Sequence, residues 1–248
     1  MTATAVDTLR ADQAALLDIG ARLTGPQWEA SSGCPGWSVK DLVSHLGALY
    51  WLAVDPAALP DTTGLPTEQA QAALVAARRG MPAAEVLADY ESVSARAVDV
   101  LASLAGLHDE VPLGDLGRYP ARLLPSAYSF DHYTHIRADL FAPRGPLPGP
   151  VPPASPDRLG PVLDWIEAAL PQQNTGRLGA LSGTVLISLD GPGDRVIQLG
   201  QGEPAARISS APDAFVRWVT QRGGWAELRV QATGDEAQLS VARALHVF

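Results

Sequence analysis

Residues 28–54 read WEASSGCPGWSVKDLVSHLGALYWLAV, and this stretch decides the fold. Gly33, Pro35 and Gly36 punctuate its first third and mark a turn. Ser38 then stands where a helix N-cap belongs, its side-chain oxygen ready to accept from a first-turn N–H. Asp41, three residues on, is a shortened form of the capping-box acid and also suits the positive end of a helix. The pattern predicts a helix from Val39 through Val54, with His45 in its middle. Trp28, Trp37, Tyr50 and Trp51 cluster around it and read as core residues, Trp37 included.

Working outward, apolar residues from Thr8 to Leu23 (Leu9, Ala14, Leu16, Leu17, Ile19, Leu23) recur at helical spacing. A third helix is expected over 83–105. A fourth is expected over 121–140, with Pro125 disturbing its first turns. Four amphipathic helices without a strand pattern read as a four-helix bundle over residues 1–140. Residues 141–156, FAPRGPLPGPVPPASP, hold seven prolines in sixteen positions. Proline fixes φ and removes a donor, so the run reads as an extended, semi-rigid linker. Beyond it the pattern changes. Helices are expected at 158–170, 212–221 and 235–245, and strands at 184–190, 195–199, 206–210 and 226–232. The fold class is α+β: an N-terminal helical bundle followed by a small α+β domain over 157–248.

Composition narrows the function. The net charge is -9 and the pI about 4.9, so there is no basic face for nucleic acid. No apolar run reaches the roughly 18 residues that span a bilayer. The N-terminus lacks a secretory pattern, and the single cysteine, Cys34, excludes an intrachain disulfide. A cytoplasmic monomer is expected. Lysine occurs once, against 17 arginines, which points to a GC-rich source.

The chemistry-bearing residues are few. Asp131 and His135 are spaced i, i+4 and share one helix face. Together they can grip a metal, and His45 on another helix is the natural third ligand of an open two-His, one-carboxylate set. His132 either replaces Asp131 or faces solvent. Cys34 precedes a helix N-terminus, a setting that lowers a thiol's pKa, but a structural turn role is the commoner reading. His108 and His246 read as ordinary histidines. Phosphate loops, dinucleotide fingerprints and nucleophile elbows are absent.

The stretch from Trp28 to Leu46, with its C-P-G-W-S turn, resembles the opening signature of the mycothiol-dependent maleylpyruvate isomerase family, a branch of the DinB-like four-helix bundles. Residues 208–245 resemble that family's C-terminal α+β domain. The resemblance implies that His45, Asp131 and His135 bind Zn²⁺ or another divalent metal, with Asp139 close behind. It also implies that mycothiol is the co-substrate and a small electrophile the second partner. Arg222, or alternatively Arg217, is implied as the arginine the second domain presents to the active site. Tyr133 and Arg78 are candidates for reading the thiol. Asp131 departs from the family's glutamate and is one methylene shorter. The expected activity is S-transfer to the electrophile. Cis–trans isomerisation of the maleylpyruvate type, a thiol-independent hydrolase or lyase, and a binding module with a decayed metal site are the alternatives.

Overall fold

The computed structural model describes residues 4–248. The backbone divides into two compact units, one ending at Pro153 and the other beginning at Ala154. The first unit runs α1 (Ala5–Arg22), α2 (Gly25–Glu29), α3 (Val39–Val54), α4 (Thr67–Arg78), α5 (Ala83–Ser103), β1 (Glu110–Pro112), β2 (Arg118–Pro120) and α6 (Leu124–Thr134). The bundle is built from α1, α3, α5 and α6, with α3 packed chiefly on α5 and α1 on α6 and α5.

The local reasons are visible. Thr4 caps α1 and Ser38 caps α3, each in a reciprocal capping box with an aspartate at the third helical position, Asp7 and Asp41. The shorter acid therefore closes the box. Inside, Leu9, Leu16, Leu42, Leu46, Val86 and Val93 are fully buried, each worth about 1.5–3 kcal/mol of removed apolar surface. A polar tie crosses this core: Gln13 Nε2 donates to Tyr50 Oη at 3.2 Å and to the Ser94 carbonyl at 3.0 Å.

Several features of this unit depart from the expectations. The helix α4 and the β1–β2 hairpin were not anticipated in a region read as strand-free. The fourth helix begins with a short 3-10 turn over Ala121–Leu123. Pro125 lies in the first turn of α6, where its missing N–H would have had no acceptor. The same helix then widens into a π-helical segment, His135–Leu140. Finally, the proline-rich run is not extended throughout. Ala142 N–H donates to the Leu147 carbonyl, Leu147 N–H to the Leu140 carbonyl and Gly145 N–H to the Phe141 carbonyl. Phe141 and Leu147 are buried with the bundle core.

The second unit contains α7 (Pro156–Gln173), α8 (Thr175–Leu178), β3 (Thr184–Leu189), β4 (Arg195–Leu199), β5 (Pro204–Ser210), α9 (Pro212–Val219), β6 (Gln231–Gly234) and α10 (Glu236–Arg243). The sheet order is β4-β3-β5-β6. Strand β3 runs antiparallel to β4 and parallel to β5, and β5 is antiparallel to β6. The last strand is shorter and later than the expected 226–232. Residues 224–230 instead close tight turns, Leu228 N–H to Gly224 and Val230 N–H to Trp225, with Arg229 in the left-handed region at φ 56°. A helical bundle followed by a small α+β unit is thus what the structure shows.

Candidate metal centre

Two helices of the first unit bring the candidate ligands together. His45 comes from the middle of α3 and is buried. Asp131 comes from α6, and His135 from the first residue of the π-helical segment that continues it. The His45 and His135 rings meet edge to face, 5.1 Å between centroids at 81°. One donor atom from each of His45, Asp131 and His135 lies within 4.8 Å of the other two. Ligands held at about 2.1 Å from a shared tetrahedral zinc sit about 3.4 Å apart, so a small closing motion would bring these donors to ligand spacing. Asp131, despite its missing methylene, reaches the group.

The tautomer of His135 follows from its partner. His135 Nδ1 donates to Asp139 Oδ2 at 2.8 Å, because a buried carboxylate accepts. That leaves Nε2 as the lone-pair donor. Asp139 is wholly buried. Cys34 joins from the turn before α3: Sγ lies 3.3 Å from Asp139 Oδ2 and 3.6 Å from His135 Nδ1. Cys34, His135 and Asp139 form a second group whose donor atoms are mutually close. Trp37, read above as core, is half-buried and stands with its ring 5.0 Å from that of His45. It is a wall of the site.

His132 does not face solvent. It is completely buried, with Nδ1 2.8 Å from the Tyr128 carbonyl and Nε2 3.0 Å from Tyr90 Oη. A carbonyl can only accept, so Nδ1 carries the proton and Nε2 accepts from the tyrosine. Both nitrogens are engaged. Burial pushes the His132 pKa down to about 4, helped by nearby His135 and opposed by the Tyr128 carbonyl. Burial likewise holds the Tyr128 phenol well above its ordinary range, with the Asp131 charge adding to it.

The other residues singled out from sequence sit as follows. Arg78 Nε donates to Ser44 Oγ at 3.0 Å, and its guanidinium pairs with Asp89. Trp51 Nε1 donates to the same carboxylate. Tyr133 is buried beneath the Arg137 guanidinium, 4.6 Å from its ring centroid. In the second unit, Arg217 Nη2 pairs with Glu227 at 3.0 Å. Arg222 donates from its backbone to the Arg217 carbonyl and from Nη1 to the Thr220 carbonyl, closing the end of α9. Sequence reasoning did not single out Arg144, whose Nη2 donates to the Gly33 carbonyl at 2.9 Å and whose Nε is 3.7 Å from Asp139 Oδ1. The only local signal for it was a cation within a proline run.

A family model covers the stretch that holds the capped α3 and its buried histidine. The model described as the mycothiol maleylpyruvate isomerase N-terminal domain matches residues 9–132, half of the chain. The chain belongs to this family. The matched region includes His45 and Asp131 and stops three residues short of His135. Two solved structures share the fold over 93% of this chain and 92% of their own. One is titled the mycothiol-dependent maleylpyruvate isomerase, at 17% identity and a TM-score of 0.61. The other is a histidine-to-alanine mutant under the same title, at 16% and 0.59. No curated protein sequence matches the chain. None of the described helices is long and apolar enough to cross a membrane.

Proposed function

We propose that this family member is a metal-dependent enzyme that uses mycothiol as a thiolate nucleophile toward a small electrophile, leaving the sulfur on the product. The observation that carries the reading is the convergence of His45, Asp131 and His135 donor atoms within 4.8 Å, in a family named for a mycothiol enzyme. Two imidazoles and one carboxylate fit Zn²⁺ or a neighbouring divalent metal, and they leave coordination positions open. A cation bound there supplies a Lewis-acidic point that favours the deprotonated form of a thiol at neutral pH. The chain's own part is positional. Asp139 holds the His135 ring with Nε2 available, Trp37 covers one face of His45, and the surrounding burial limits competing water.

A second reading, isomerisation of the maleylpyruvate type, is favoured by the titles of both matched structures. There the thiol would add and then leave. The two outcomes separate by thiol accounting: transfer consumes one thiol per turnover, and isomerisation regenerates it.

The test is metal content of untagged protein alongside His45→Ala, with mycothiol consumption measured on candidate electrophiles. About one metal per chain, lost in the variant together with thiol-dependent turnover, is expected. A wild-type chain that stays metal-free after zinc is added back would overturn the proposal.

A further inference from the structure

We propose that Cys34 and Arg144 are positioning residues for the metal centre: they fix the Asp139 carboxylate, and Asp139 fixes the His135 imidazole. The inference rests on the metal-dependent reading above and deepens it.

Three separate parts of the chain converge on Asp139. The π-helical segment supplies Asp139 itself and His135. The turn before α3 supplies Gly33, whose N–H donates to the Asp139 carbonyl at 2.8 Å, and Cys34, whose thiol donates to Oδ2 at 3.3 Å. The proline-rich run supplies Arg144, which lies 3.7 Å from Oδ1 and ties back to the Gly33 carbonyl at 2.9 Å. A Cβ on residue 33 would lie 2.7 Å from Asp139 Oδ1 and 2.8 Å from its Cα, so only glycine allows this approach.

The physical consequence follows from satisfaction of a buried charge. A carboxylate removed from water has to be met by donors, or it rotates toward whatever donor it can find. Here the thiol and His135 Nδ1 share Oδ2, while the guanidinium faces Oδ1. The carboxylate plane is held from both ends. The imidazole therefore keeps Nδ1 toward Asp139, with Nε2 as its lone-pair nitrogen. Outer partners of this kind typically govern metal affinity tenfold or more. In this arrangement Cys34 acts as a hydrogen-bond donor and not as a metal ligand, although its sulfur is near enough to His135 and Asp139 for the rival role to be tested.

The experiment uses the full chain and reads Zn²⁺ affinity by competition with a chromophoric chelator, and visible and near-ultraviolet spectra after Co²⁺ loading. Cys34→Ala should weaken zinc binding about tenfold, and Cys34→Ser, which keeps a donor, should stay within about threefold of wild type. The cobalt ligand-field bands should shift in Cys34→Ala and return in Cys34→Ser, with no thiolate charge-transfer band in any of the three. Equal zinc affinity in wild type and Cys34→Ala, with binding still abolished by His45→Ala, would overturn this inference and leave the metal-dependent reading standing. A thiolate-to-cobalt band in wild type that vanishes in Cys34→Ala would overturn it too, by making Cys34 a ligand. A wild-type chain that binds neither ion would overturn both.

Discussion

Replacing Gly33 by alanine perturbs one contact whose geometry can be worked through. The φ of Gly33 lies outside the left-handed region, so alanine meets no backbone penalty of its own. The conflict is one of approach: the new methyl would sit 2.8 Å from Asp139 Cα and 3.2 Å from the Ala138 carbonyl oxygen. Carbon atoms settle at about 3.5–4.0 Å, so the turn and the π-helical segment must separate by about 0.7–1.2 Å. That stretches the 2.8 Å hydrogen bond from Gly33 N–H to the Asp139 carbonyl out of range. Losing it costs about 1 kcal/mol, and residual overpacking adds about 1–3 kcal/mol. Gly33→Ala should therefore lower unfolding stability by roughly 2–4 kcal/mol, seen as a reduced urea midpoint at unchanged m-value. Gly25→Ala is the control: nothing lies within 4 Å of its added methyl, so stability should hold or rise by up to about 1 kcal/mol. A Gly33→Ala stability within about 0.5 kcal/mol of wild type would refute the argument, because the approach would then be relieved at no cost.

Tyr90→Phe removes the hydroxyl 3.0 Å from His132 Nε2 and leaves a buried acceptor unpaired, so it should destabilise by about 1–3 kcal/mol in the same assay. No measurable loss would mean that His132 finds another donor. The depressed pKa of His132 also predicts an acid dependence. The folded chain keeps the imidazole neutral down to about pH 4, whereas the unfolded chain takes up the proton near pH 6.5. Unfolded protein binds more protons in that window, so the stability contribution is complete above about pH 6.5 and falls as pH drops toward 4, with a slope approaching 1.4 kcal/mol per unit. His132→Gln should show a shallower fall over the same range, and an equally steep one would exclude His132 as its origin.

How much of this was legible in advance depends on range. The cap at Ser38, the helix carrying His45 and the i, i+4 placement of Asp131 and His135 all lie within one or two turns of chain. Periodicity and capping chemistry report on that distance. The helix α4 escaped notice because its buried residues are only Leu74 and Val75. An alanine-rich helix has high propensity but little apolar contrast. The β1–β2 pairing covers three residues on each side, too short to alternate visibly.

The sequence by itself determined a capped helical bundle followed by a small α+β unit, a family, and three ligand candidates. Tertiary structure decided what each candidate is for. His132, one residue from Asp131, turns into the core onto Tyr90 and Tyr128, while His135 meets His45. Cys34 and Arg144, 110 positions apart in the numbering, meet at Asp139 because a proline-rich run turns back onto the bundle. The physical reason is that hydrogen bonding and burial depend on which surfaces pack together. Residues far apart in sequence carry no local periodicity that records their meeting.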